Sequence, residues 1–185
     1  GGPARFTGNP AIGRCGMKEL LNVAGVSKHF AMGGLFSRDV VHAVSDVSFA
    51  LSADTAEIFT IIGESGSGRT TLARMILGLE TPNSGAITFD GQEVSDSLSR
   101  SQRLAFMKRL QPVFQNPFEA FNPLKQVDGY LRSTAQTLLG VSEPDQIDAA
   151  MDSALQKVGL SLREIAGRYA HELSGGQLQR VAIAR

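Results

Sequence analysis

The run Ile58-Phe59-Thr60-Ile61-Ile62, then Gly63-Glu64-Ser65-Gly66-Ser67-Gly68-Arg69-Thr70-Thr71, then Leu72-Ala73-Arg74-Met75-Ile76-Leu77, decides the fold class. It reads as an apolar strand, a glycine loop and a helix, in that order. Successive backbone N–H groups in such a loop point inward. Together with the positive end of the following helix they form a cavity suited to a polyphosphate. Glycine is needed there because a Cβ would block positive φ angles and the close approach of backbone to ligand.

The loop departs by one residue from the phosphate-binding pattern G-x-x-x-x-G-K-[ST], since Arg69 stands at the lysine position. Taken alone, a glycine-rich turn followed by arginine is also compatible with an ordinary strand-to-helix connection. A second glycine motif, Leu173-Ser174-Gly175-Gly176-Gln177-Leu178-Gln179-Arg180, precedes the helical run Val181-Ala182-Ile183-Ala184-Arg185. It closely resembles the signature sequence of ABC-type ATPases.

The resemblance extends along nearly all of the chain after Met17. VFQNPFEAFNP, Val113 to Pro123, is similar to the Q-loop of that family, with Gln115 at the glutamine position. VSKHF, Val26 to Phe30, resembles the strand end that carries the aromatic adenine platform. VHAVSDVSFAL, Val41 to Leu51, resembles the strand after it, and LARMILGLETPNSGAITFDGQEV the segment behind the P-loop. The AMGGLFSRD insertion between Phe30 and Val41, the FQNPFEAFNP form and RYAHELSGGQLQRVAIAR are similar, more narrowly, to the dipeptide, oligopeptide and nickel importer ATPases. The fold implied is α/β: a P-loop NTPase core with an antiparallel β region and an inserted helical subdomain, incomplete at its C-terminal end.

Composition agrees with that class. A chain of 185 residues with 42% hydrophobic residues can bury a core and is near the size of one domain. Its 18 basic and 18 acidic residues cancel, which gives no electrostatic footprint for nucleic acid. No unbroken apolar stretch approaches the length of a membrane span, so membrane association is expected through partners. The single cysteine, Cys15, excludes an internal disulfide, fits a reducing compartment and reads as an inert thiol.

Residues 1–16, rich in Gly, Pro and Asn, read as a disordered leader with Met17 a plausible start. Residues 17–185 form the expected ATP-binding domain fragment. Within it, 17–116 is the nucleotide-binding core, 117–172 the helical subdomain and 173–185 the signature motif with its helix. Strands are expected near Leu20–Val26, Val40–Leu51, Ile58–Ile62, Ala86–Phe89 and Leu110–Phe114. Helices are expected at Thr70–Gly78, Leu98–Lys108, Val127–Leu139, Pro144–Val158 and from Ser174 to the end.

The resemblance assigns the cofactors ATP and Mg²⁺ and their residues. The loop Gly63, Ser65, Gly66, Ser67, Gly68, Arg69, Thr70 and Thr71 would hold the phosphates, with the Ser65 to Thr70 amides as the cradle. Thr70 matches the hydroxyl that ligates Mg²⁺, and Gln115 would touch the metal or the attacking water as a catalytic residue. Phe30 would stack on adenine, although a lone strand-end Phe also fits a core role. Ser174, Gly175, Gly176 and Gln177 would present an anion-binding helix N-terminus to the γ-phosphate held by a second subunit.

Arg69 keeps the charge of lysine but is planar and forked instead of a compact point charge, so transition-state placement is expected to suffer. The family's Walker B strand, ending in Asp-Glu, and its switch histidine are expected beyond Arg185, and none of His29, His42 or His171 matches that histidine's place. The fragment alone is therefore expected to bind nucleotide and hydrolyse it poorly.

Three readings follow. The first is the ATP-binding subunit of an ABC importer for peptides or a related small solute. Its implied partners are a second ABC ATPase subunit, as homo- or heterodimer, transmembrane permease subunits and, indirectly, a solute-binding protein. It would sit peripherally on the cytoplasmic face of the inner membrane. The second is a hydrolysis-deficient nucleotide-binding assembly module. The third, a soluble DNA-maintenance ATPase, is disfavoured because no sustained heptads separate the two glycine motifs.

Overall fold

A computed structural model describes residues 18–32 and 39–185. The expected leader at 1–16, Cys15 and most of the AMGGLFSRD insertion lie outside the described residues. The chain divides into two compact units, one ending at Leu110 and the other spanning Gln111–Arg185. Among the described residues no helix is long and apolar enough to cross a membrane.

The first unit is built on an antiparallel sheet of strand order β2-β1-β3-β4. Its strands are β1, Glu19–Met32, β2, Asp39–Ser52, β3, Ser84–Phe89, and β4, Gln92–Glu93. The alternation of β1 drives Leu21, Val23 and Val26 into the core, and register pairs Val23 with Phe49 on one side and Ile87 on the other. Bulges between Val23 and Val26 re-aim the strand, and side chains take over hydrogen bonds the ladder loses there. Ser48 Oγ accepts from the Gly25 amide, and Ser27 Oγ from the Asp46 amide, at 2.8 and 2.9 Å.

Two helices complete this unit: α1, Arg69–Ile76, and α2, Arg100–Arg109. An eight-residue helix is marginal on its own, so α1 depends on packing. Leu72 and Met75, each 1% exposed, supply it, at about 2 kcal/mol per buried side chain. Helix α2 starts with a capping box between Ser99 and Gln102, and Phe106 meets Phe89 edge-on.

The second unit is helical. It contains α3, Val127–Thr134, which continues into a wider turn at Ala135–Leu139, α4, Pro144–Gln156, the one-turn α5, Leu162–Ile165, and α6, Gly175–Ala184. Ile147, Met151 and Leu155 recur along one face of α4 and pack with Val127, Leu131, Leu178 and Val181. A bridge between Gln126 and Tyr169, with the Val127 amide donating to Arg168 O at 2.8 Å, ties the segment entering α3 to the one entering α6.

Two expected strands do not form. Ile58–Ile62 and Leu110–Phe114 are without regular secondary structure, and Ile58, Ile62 and Val113 are 97, 78 and 59% exposed. A continuous apolar run signals a strand that neighbours must pair with on both edges, and among the described residues no strand pairs with either run. Phe59 instead stacks on Phe49 of β2, with ring centroids 4.6 Å apart.

Candidate functional site

The glycine loop lies in the first unit and is shaped by β2. Gly66 and Gly68 take φ of 81 and 87°, a region that L side chains rarely adopt. A Cβ on Gly68 would lie 1.9 Å from the Ala43 carbonyl oxygen, inside any permissible contact. The last loop glycine is thus required by the backbone of β2, whatever the loop binds.

Gly68 is also the N-cap of α1, and no side chain caps it. The first intrahelical bond runs from the Leu72 amide to Gly68 O at 2.9 Å. The amides of Arg69, Thr70 and Thr71 are therefore left without helical acceptors at the positive end of the helix dipole. Ser67 Oγ is buried and makes no hydrogen bond among the described residues. Buried hydroxyls almost always have a partner, so this one leaves a donor for a ligand.

Arg69 is exposed, and its Cδ lies 3.7 Å from where a Gly63 Cβ would be, so the stem turns back along the loop towards its start. Thr70 is exposed as well, with a hydroxyl that bonds to nothing among the described residues. Thr71 is half-buried, and Ser65 is exposed in the turn closed by the Ser67 amide on Glu64 O at 3.1 Å. The structure thus brings Gly63, Ser65, Gly66, Ser67, Gly68, Arg69, Thr70 and Thr71 into one loop and helix start.

Phe30, at the end of β1 and paired with Val41, is 38% exposed. It is not core. The Lys28 ammonium sits over its ring, 5.2 Å from the centroid. The same ammonium is held by Glu80 at 2.6 Å and by Thr81 O at 2.7 Å, so the charge beside the ring is fixed from the loop after α1.

The signature residues and Gln115 belong to the second unit. Ser174 is the N-cap of α6 in a reciprocal capping box: its Oγ accepts from the Gln177 amide at 3.2 Å, while Gln177 Oε1 accepts from the Ser174 amide at 3.0 Å. The Gln177 side chain is committed to that box, which makes it a positioning residue. The Ser174 hydroxyl keeps its proton to donate, and the Gly175 and Gly176 amides remain at the exposed helix start. A Cβ on either glycine would meet nothing within 4 Å.

Gln115 is exposed, and its side chain is free of hydrogen bonds among the described residues. Its flanks are held. Gln179 Nε2 donates to Phe114 O at 3.3 Å, Asn116 Oδ1 accepts from the Phe118 amide at 3.1 Å, and Arg185 Nη1 donates to Ala120 O at 2.7 Å. The Arg185 guanidinium also lies 5.1 Å from the centroid of the Tyr130 ring. Sequence reasoning missed the braces from Gln179 and Arg185, and missed Ala43 behind Gly68, because each joins residues remote in the chain and carries no local pattern.

Two carboxylates have displaced pKa values, and both serve the fold. Hydrogen bonds from Lys18 and Arg109 hold Asp90 below its ordinary 3.8, and the Ser161 hydroxyl and amide do the same for Glu164. Among the described residues no cluster of three or more His, Cys, Asp or Glu could hold a metal ion.

An uncapped helix start behind a glycine loop, and a serine-capped glycine start on a second helix, are arrangements suited to binding anions such as phosphate. The family model for ABC transporter matches residues 44–185, and the chain belongs to that family. It is 39% identical over 166 residues to the nickel import ATP-binding protein NikE of Shigella boydii serotype 4 (strain Sb227), and 38% identical to NikE of Escherichia coli (strain K12). Each alignment covers 90% of this chain and 60% of the relative, so the chain spans about 60% of the length of these proteins.

Among solved structures it is similar to the ATP-binding cassette MJ0796 in a dimeric post-hydrolysis state bound to ADP and Pi. The TM-score is 0.74 at 25% identity, over 89% of this chain and 67% of that one. It is also similar to cbiO1 from Clostridium perfringens, part of the ABC transporter complex cbiONQ. There the TM-score is 0.66 at 26% identity, over 90% of this chain and 60% of that one.

Proposed function

We propose that this chain is the nucleotide-binding part of an ATP-binding subunit of an ABC importer, which couples ATP binding and hydrolysis to uptake of a peptide, a nickel species or a related small solute. The observation that carries the reading is the unspent start of α1: three amides without helical acceptors, a buried Ser67 hydroxyl without a partner among the described residues and an exposed arginine, all on one loop. That donor set suits the oxygens of a phosphate chain. The nickel import relatives support the importer class.

In this reading the Ser65 to Thr70 amides and Ser67 Oγ bind phosphate oxygens, and Arg69 adds a forked positive charge. Phe30 offers an exposed ring for adenine stacking. Thr70 offers an oxygen donor of the kind Mg²⁺ prefers and would hold it, and the Gln115 amide oxygen is a donor of the same kind. When bound, that ion neutralises charge on the phosphates. Gln115 positions the attacking water. The Ser174 hydroxyl and the Gly175 and Gly176 amides donate to the γ-phosphate of a nucleotide held by a second ATPase subunit, and permease subunits, with a solute-binding protein beyond them, receive the motion. The chain then works at the cytoplasmic face of the inner membrane.

Arg69 favours a second reading, a module that binds nucleotide without turning it over, since a planar fork cannot reproduce the placement of a point charge. Calorimetry with MgATP, paired with steady-state turnover of the full-length protein in its complex, separates the two. Arg69→Ala should weaken ATP about tenfold, the scale of one charged hydrogen bond. Unchanged affinity in Arg69→Ala would remove this residue from the site, and binding with no turnover would select the second reading.

A further inference from the structure

His29 in β1 and His42 in β2 stand directly opposite each other in register, and both are exposed. Their ring centroids are 5.8 Å apart at a tilt of 47°. The His29 amide donates to Asn83 Oδ1 at 2.8 Å, on the β3 side of β1, where Ser27 pairs with Ser84. In an antiparallel ladder the N–H and C=O of one residue point to the same neighbour. His29 therefore directs its backbone groups away from β2, and the two histidines form a non-hydrogen-bonded pair, the class with Cα atoms about 4.5 Å apart and side chains closest.

Neither imidazole is hydrogen-bonded to a side chain or backbone group among the described residues. A metal held by two imidazoles through bonds of about 2 Å, in tetrahedral geometry, sets their ring centroids about 5 Å apart. The observed separation is slightly wider, and small χ rotations of two exposed rings close the difference. A sheet supplies the preorganisation: the last register shift falls between Lys28 and His29, and from His29 onward His29, Phe30 and Ala31 run in continuous register with His42, Val41 and Val40.

We infer that His29 and His42 form a cross-strand chelate for one first-row divalent cation of the kind imidazole favours, Zn²⁺, Ni²⁺ or Cu²⁺, with water in the remaining positions. The bound cation clips β1 to β2 one register step from the Phe30–Val41 pair. The site stands independently of the nucleotide reading, since it uses no residue of the glycine loop.

Zn²⁺ is the probe. The chain has three histidines and one cysteine, so a Cys15→Ser background labelled with [15N]histidine gives a three-residue spectrum with His171 as internal control. Titration should shift the ring nitrogens of His29 and His42 together, saturate at one Zn²⁺ per chain and leave His171 in place. His29→Gln and His42→Gln should each weaken binding on the order of tenfold or more, because the second ligand then loses its local advantage. The chelate is overturned if no shift occurs by millimolar Zn²⁺, if only one of the two imidazoles responds, or if His42→Gln leaves the His29 response unchanged.

Discussion

The starts of α1 and α6 are both glycine-rich, but their glycines exist for different reasons. At α1 the chain itself demands Gly68: its φ is 87° and a Cβ would strike the Ala43 carbonyl. At α6 nothing among the described residues demands Gly175 or Gly176, since a Cβ on either meets nothing within 4 Å. Yet glycine in a helix costs about 0.5–1 kcal/mol relative to alanine. Two such residues in succession at the start of α6 are therefore not explained by packing among the described residues. The caps follow the same division. Ser174 and Gln177 close α6 upon itself, whereas α1 is left uncapped, its donors available.

The largest expected effect breaks the α1 side of this contrast. Gly68→Ala should destabilise the first unit by about 3 kcal/mol or more, from left-handed strain and the overlap with β2. Denaturation without any nucleotide measures it. A variant as stable as the parent would mean that the loop is not braced by β2, and that the glycine is kept only for phosphate.

How much of this was legible in the sequence depended on whether each interaction was local. The glycine loop, the capped α6 and the amphipathic α4 were readable because their signals lie within a few residues, as with Ser174 and Gln177. The apolar runs at Ile58–Ile62 and Leu110–Phe114 were misread as strands, since a strand is a relation to partners and a hydrophobic run names none. The short α5 went unseen, with one turn too few for periodicity to register. The contact of Gly68 with Ala43 and the braces from Gln179 and Arg185 onto the segment around Gln115 were invisible for the same reason: they join residues far apart in sequence.

Smaller effects sharpen the comparison. Phe30→Ala should weaken adenine nucleotides by about 1 kcal/mol while inorganic triphosphate changes less, because stacking is lost and the phosphate contacts remain. Equal weakening of both ligands would return Phe30 to a structural role. Gly176→Ala should act oppositely to Gly68→Ala, raising the stability of this chain by about 0.5 kcal/mol while slowing turnover of the assembled ATPase. Loss of stability would show that α6 needs its glycine for internal packing after all.

The smallest effect concerns acid. Asp90 has a folded pKa below its ordinary 3.8, held there by Lys18 and Arg109. Its contribution is therefore present above that value and lost as pH falls through the lower, folded one. Asp90→Asn suits the turn, since φ is 50° at this position and Asn tolerates it. Thermal melts should show the variant less stable than the parent at pH 7, with the gap closing below about pH 3.8. A gap that persists at pH 2 would assign the effect to the turn and not to the ion pairs.

The assignment of the uncapped α1 start as the phosphate cradle is tested most directly by amide NMR of the chain titrated with MgATP. Resonances of Ser65 to Thr71 should shift together and saturably, adenosine alone should leave them in place, and those of Gly175 and Gly176 should stay put in the isolated chain. Shifts confined to other amides, or equal shifts with adenosine, would contradict it.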